Sequence, residues 1–356
     1  MLAQDSWARK IATAGMLGVA ALTPMASAAP PPPAQQVHCV VLDEFPAQSD
    51  TFGVSHGTLV EWVLENRSPM ACERVQVPLG ASMQVLDKLE PGGLEKYVVQ
   101  RFTVPTRATA EVLAQLVHNQ GPTVASQSQG ASQSRVLEAL WNRAQGSAEF
   151  RSYLESELGI AAGSSEQDFV QALVHRVDDL HRGHAEIREA RSQLRQLGRD
   201  AAQHGVVRVL SAGNQGELSR KLDELGVSVP RNFYLSDLDH GSAIVVGASD
   251  HHQTPDPSDD GAARLASPDA GALVGAQGVD VPIVVNGEVK LNSGSSYAQP
   301  QVAGLVLGWL HQDPTLTQDT IEQRLLQQAR PIPGAEAQIG AGIIDGGWNL
   351  SDAPTR

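Results

Sequence analysis

The runs HCVVLDEF (38–45) and HGTLVEWVLEN (56–66) set how the rest of the chain is read. The first is rich in β-branched residues and stops on an acid. The second carries Leu59, Val60, Val63 and Leu64 at helical spacing. A further β-type run, ERVQVPLG (73–80), follows at once, and the rhythm returns around PTVASQSQG (122–130), GVVRVLSAGN (205–214) and SAIVVGAS (242–249). Strand, helix and strand in that order mean crossover units, so the fold class is α/β, with a mostly parallel central sheet and helices on both faces. Ligands of such sheets bind beyond the carboxyl ends of the strands. Polar residues that directly follow a β run are therefore the first candidates for chemistry, and Asp43 and Asn214 are two of them.

The leading segment stands apart from this pattern. Arg9 and Lys10 precede an apolar run from Ile11 to Leu22, and Ala26-Ser27-Ala28 fits a small-residue cleavage site, so residues 1–28 read as a signal peptide. Residues 29–36 form a proline-rich linker, and the remaining domain is expected over 37–350 with a short tail at 351–356. No stretch has the ~20 consecutive apolar residues of a membrane span. The expectation is an exported protein, secreted or periplasmic. A formal net charge of −14 across 356 residues argues against a nucleic-acid surface. Cys39 and Cys72 each lie near the amino end of a predicted strand, and one crossover helix separates those strands. They can pair in an oxidising compartment or stay as buried free thiols.

Residues 133–203 are polar and helix-favouring, with Phe169, Leu173, Val177 and Leu180 at helical spacing. This enlarged region is expected at the periphery, with His175, His181 and His184 on a solvated helix face. His251-His252, in a loop rich in proline and aspartate, reads in the same way. No zinc-ligand pattern is present, so no metal and no cofactor is indicated.

LNSGSSYAQPQVAGLVLGWL (291–310) is the serine-bearing stretch. Val302, Leu305, Val306, Trp309 and Leu310 repeat at helical spacing, so a buried helix begins near Ser296 with Pro300 in its first turn. A serine at a helix start is ordinarily a cap. At the positive end of the helix dipole, beside free backbone donors, it is also placed to carry negative charge. Asp43 at a strand end and His56 at a helix start supply an acid and a base. The order Asp, His, Ser excludes two of the three known triad orders.

Four segments then resemble the motifs of the subtilisin-like serine proteases, the subtilases. VVLD is similar to the aspartate motif, SHGTLV to the histidine motif HGTHVA, SAGNQG to the asparagine motif, and SGSSYAQPQVAG to the serine motif GTSMAAPHVAG. VQVPLG, ASQSQG, SAIVVGAS and GAGIID are weaker echoes in the same order. The resemblance runs from about Val37 to Asp345 and implies a subtilisin-like catalytic domain with the 133–203 helices inserted into it.

It also implies an exported endopeptidase working through an acyl-enzyme. Asp43, His56 and Ser296 would be its triad and Asn214 its oxyanion donor, while Ser128, Gln129, Gly130 and Gly213 would bind a protein or peptide substrate. Ser295 takes the motif's threonine position. The sequence departs from the family at DEF in place of DTG, at Leu59 in place of the second histidine, and at Gln129 in place of leucine. The connection from Asp43 to His56 is short. A structural calcium ion is the only metal the resemblance leaves open, and oligomeric state is not encoded in these patterns. Two other readings stay open: a catalytically silent fold that binds peptides or docks partners, and an esterase or self-processing activity. Asn214 itself has a plainer alternative, a left-handed turn residue after Gly213.

Overall fold

The computed structural model describes residues 36–45, 54–68, 70–80, 82–239, 241–250 and 257–344. The signal peptide, most of the proline-rich linker, His251-His252 and the tail lie outside the described residues. The first crossover unit is β1 (His38–Asp43), α1 (His56–Glu65) and β2 (Glu73–Gln76). Next come α2 (Gly93–Leu116) and β3 (Thr123–Gln127), then four helices in succession: α3 (Gln133–Gly146), α4 (Ala148–Leu158), α5 (Glu166–Gly183) and α6 (Ala185–Gln203). The chain returns to the sheet as β4 (Val206–Ser211), passes through α7 (Gly216–Glu224), and continues as β5 (Ile244–Asp250), β6 (Gly261–Ala262) and β7 (Val274–Gln277). A hairpin of β8 (Val281–Val285) and β9 (Glu288–Asn292) leads into α8 (Ser295–Gln312), α9 (Gln318–Gln328) and the short α10 (Glu336–Ile339).

The main sheet runs β2-β1-β3-β4-β5-β6, with β7 also paired to β5. Every ladder in it is parallel except β5 with β6, so it is the mostly parallel sheet the sequence leads one to expect. Alternation along the strands builds two cores. Val40, Leu42, Ala125 and Leu210 face the layer of α2 to α7, whereas Cys39, Val41, Val124 and Val209 face α1, α8 and α9. Burial of both faces explains why these strands read as continuous apolar runs rather than alternating ones.

Residues 133–203 are indeed helical, but they are more than a periphery. Phe169, Leu173 and Val177 of α5 are fully buried in the larger core, and α6 packs along α2. The expectation of a solvated histidine face fails at His181. That side chain is buried, and its Nε2 meets both carboxylate oxygens of Asp237 at 2.8 and 2.9 Å. It follows Leu180 on the edge of the apolar stripe, so burying the stripe buries the imidazole, and Asp237 and Gln133 supply its polar partners.

β1 and β2 begin side by side, with Val40 opposite Glu73. The preceding residues, Cys39 and Cys72, are joined in a disulfide with their Cα atoms 4.6 Å apart.

Candidate active site

Three strand ends and two helix starts meet at the carboxyl edge of the sheet. Asp43 closes β1. His56 opens α1, which Ser55 caps by accepting from the Thr58 N–H at 3.2 Å. Gly57 makes the close approach of α1 to β1 feasible, because a Cβ there would lie 2.8 Å from the Phe45 ring and 3.0 Å from the Asp43 Cβ. That approach brings His56 Nδ1 to 2.9 Å from Asp43 Oδ1. The same oxygen accepts the Glu44 N–H at 2.7 Å, and Asp43 is 1% exposed. A buried carboxylate facing Nδ1 fixes the imidazole as the Nδ1–H tautomer and leaves Nε2 as the acceptor. Asp43 Oδ2 is buried without a partner among the described residues. Glu44, standing where the family motif carries threonine, turns its carboxylate to the Leu79 N–H instead.

Across the cleft, α8 starts at Ser295, one residue earlier than the spacing suggests, after Gly294. Pro300 is consequently in the second turn rather than the first. It cannot supply the N–H that the Ser296 carbonyl would receive in a regular helix. The Ser128 hydroxyl meets that carbonyl at 3.0 Å, and its single proton also faces Gln299 Oε1 at 2.7 Å. In return, Ser296 Oγ donates to the Ser128 main-chain oxygen at 3.2 Å. Gln299, fully buried, gives its amide protons to Val209 O and Ser126 Oγ. The start of α8 and the end of β3 are thus tied together by Ser128, expected from the resemblance to bind substrate, and by Gln299, which the sequence reading passed over. A glutamine inside an otherwise apolar run was the available signal.

Ser295 and Ser296 have different surroundings. Ser295 is wholly buried, and its hydroxyl accepts the Gly213 N–H at 3.0 Å. Both line the cleft, but Ser296 keeps some exposure, 8%, and its hydroxyl is not engaged by the Gly213 loop. Asn214 Oδ1 accepts the Ser295 N–H at 2.8 Å, so the Asn214 amide nitrogen is the end left to donate. Gly213 takes the left-handed conformation at φ +108, while Asn214 is not among the residues of positive φ. The turn-residue alternative for Asn214 is therefore removed: the glycine makes the turn. Asn214 Nδ2 and the Ser296 N–H both lack acceptors among the described residues, and a Cβ on Gly294 would come within 3.2 Å of that Nδ2.

Asp43, His56, Ser128, Gln129, Gly130, Gly213, Asn214 and Ser296 all line one cavity of about 400 Å³. Gln129 spends its amide on Val77 O, behind the cleft, at 2.8 Å. Residues unforeseen from the sequence line the cavity too, above all Arg135 and Glu138 of α3 and Gln215. Desolvation, then the nearby Arg101, holds the Arg135 guanidinium below its ordinary range, against the attraction of Asp43, Glu138 and Glu44. Among the described residues no cluster of three metal-ligating side chains occurs.

A family model described as the Subtilase family matches residues 100–342, well over half of the chain, and the chain therefore belongs to the subtilase family. It is a serine-type endopeptidase, a hydrolase whose substrates are proteins. The matched region includes Asn214 and Ser296 and begins after Asp43 and His56. No curated protein matches the chain. A solved structure titled as a cold adapted subtilisin-like serine proteinase is similar at 16% identity, covering 87% of this chain and 89% of that one, with a TM-score of 0.43.

Proposed function

We propose that this serine peptidase works through Ser296 as nucleophile, His56 as general base and Asp43 as the group that orients it. The observation that carries the reading is the buried Asp43 carboxylate 2.9 Å from His56 Nδ1, on the same cavity as Ser296. His56 Nε2 takes the Ser296 proton as Oγ attacks the peptide carbonyl, and the imidazolium returns it to the leaving amine. Asn214 Nδ2 and the Ser296 N–H meet the oxyanion, since both are donors without partners beside the nucleophile. The Ser296 hydroxyl proton, directed at the Ser128 carbonyl in the resting site, has to turn to His56 for the reaction to begin.

The protein is exported. Residues 1–28 carry the composition of a signal peptide, and the Cys39–Cys72 disulfide suits an oxidising compartment. No described helix is long and apolar enough to cross a membrane. Incubating the purified protein with a peptide library, with Ser296→Ala as the blank, tests the activity. Cleavage by the parent alone is expected; cleavage by neither would favour the catalytically silent peptide-binding alternative, and equal cleavage by both would remove Ser296 as the nucleophile.

A further inference from the structure

The cavity beside Ser296 ends on α3, and its titratable lining is Asp43, Glu44, His56, Arg135 and Glu138. Three acids and one arginine suggest at first a site for a basic side chain. Their hydrogen bonds point the other way. Asp43 gives Oδ1 to His56 and the Glu44 N–H and keeps Oδ2 buried, Glu44 accepts from the Leu79 N–H, and Glu138 accepts from the Gln215 amide at 3.2 Å. Among the described residues Arg135 makes one long hydrogen bond, Nη1 to Gly130 O at 3.4 Å, and no ion pair. It offers five N–H donors, most of them without an acceptor among the described residues.

Its position suits selection of a substrate side chain. Nη1 lies 4.0 Å from where a Gly130 Cβ would stand, beside the Ser128–Gly130 edge that adjoins the nucleophile. The cavity that Ser296 borders is lined by that edge, by the Ser211–Gln215 loop and by α3, so a side chain on the residue whose carbonyl meets Ser296 has this cavity to enter. Among the described residues no carboxylate stands within ion-pair distance of the guanidinium, and desolvation, then the nearby Arg101, lowers its proton affinity although Asp43, Glu138 and Glu44 attract it from farther away. A planar carboxylate matches the guanidinium fork and would satisfy it.

We propose that Arg135 makes this endopeptidase select an acidic residue, glutamate or aspartate, on the amino side of the bond it cleaves. This rests on the assignment of Ser296 as nucleophile. The site then rejects lysine by direct repulsion and glutamine by leaving the guanidinium poorly paired.

The test uses four peptides identical except for Glu, Gln, Leu or Lys at that position, with a fluorophosphonate probe as a reporter of Ser296 that needs no such side chain. Glu should exceed Gln by at least about tenfold in kcat/KM, the range expected for a charge-assisted pair against a neutral one. Arg135→Gln should bring the ratio to about one, and Arg135→Lys should keep part of it. Circular dichroism identifies a variant that fails to fold, and the parent's ratio stands without any variant. Probe labelling with a Glu/Gln ratio near one, with Lys cleaved best, or with none of the four cleaved overturns the role of Arg135 and leaves the nucleophile standing. Absence of both labelling and cleavage overturns the two together.

Discussion

Ser128 and Ser296, 168 positions apart in the chain, hold each other in both directions: the Ser128 hydroxyl meets the Ser296 carbonyl, and the Ser296 hydroxyl donates to the Ser128 carbonyl. The first contact exists because Pro300 leaves that carbonyl without its helical donor. The pairing joins the end of β3 to the start of α8, so its loss should be felt in stability and in the geometry of the site.

Ser128→Ala is expected to destabilise the protein by about 1 to 3 kcal/mol, the cost of stranding buried acceptors. Pro300→Ala restores an N–H aimed at the Ser296 carbonyl. The Ser128→Ala cost should therefore shrink by about 1 kcal/mol in the Pro300→Ala background, as a double-mutant cycle by chemical denaturation reads directly. Strict additivity would show that the hydroxyl is not replacing the missing helix bond.

Asn214 has two ends with separate duties. Asn214→Asp keeps an oxygen for the Ser295 N–H and removes the donor, so kcat should fall about 10² to 10³-fold with KM and melting temperature near those of the parent. Asn214→Gly removes both and should lose kcat to a similar extent, with some loss of stability. A fully active Asn214→Gly would end the oxyanion role.

The Cys39–Cys72 bond closes a loop across a sequence separation of 33. In the chain-entropy model such a loop stabilises by roughly 3 to 4 kcal/mol. Cys39→Ser with Cys72→Ser should lose about that much in denaturant unfolding, with the active-site chemistry retained. Free alkylation of both thiols in the unreduced protein would remove the bond from the account.

Within the inserted helices, Glu166 joins Arg151 and the Trp141 indole. Desolvation works to raise its pKa, but the bonds from Arg151 and Trp141 outweigh it and the net direction is down. A depressed carboxylate stabilises above its unfolded pKa, and that contribution is lost as pH falls through the folded value. Glu166→Gln should thus lower stability at pH 7, by at most about 1 kcal/mol given its exposure, and the gap to the parent should close at low pH below the usual carboxylate range. A gap that widens on acidification would contradict this.

The sheet and the main site were legible because β-branched runs stop on polar residues at the very edge where ligands gather, and Asp43, Asn214 and the serine segment all lie there. His181 was not legible, since its partner Asp237 lies 56 positions away and only packing brings the two together. Helix α2 continues through Pro105, whose ring marks a break in any local reading. Arg135 looks like an ordinary polar helix residue until β3, β4 and α3 enclose the cavity around it. Gln299 was hidden in an apolar run because its partners, Ser126 in β3, Ser128 just beyond it and Val209 in β4, lie far away in sequence.

The central claim is that Ser296, activated by His56 and Asp43, is the nucleophile. Labelling with a fluorophosphonate probe, followed by peptide mapping of the modified residue, addresses it most directly. The account predicts modification of Ser296 alone, abolished by Ser296→Ala and strongly slowed by His56→Ala, with Ser295→Ala still labelled and the Ser296→Ala melting temperature lowered by no more than a lost hydrogen bond of ~1 kcal/mol allows. Modification mapped to Ser295, or labelling that survives Ser296→Ala, would contradict it.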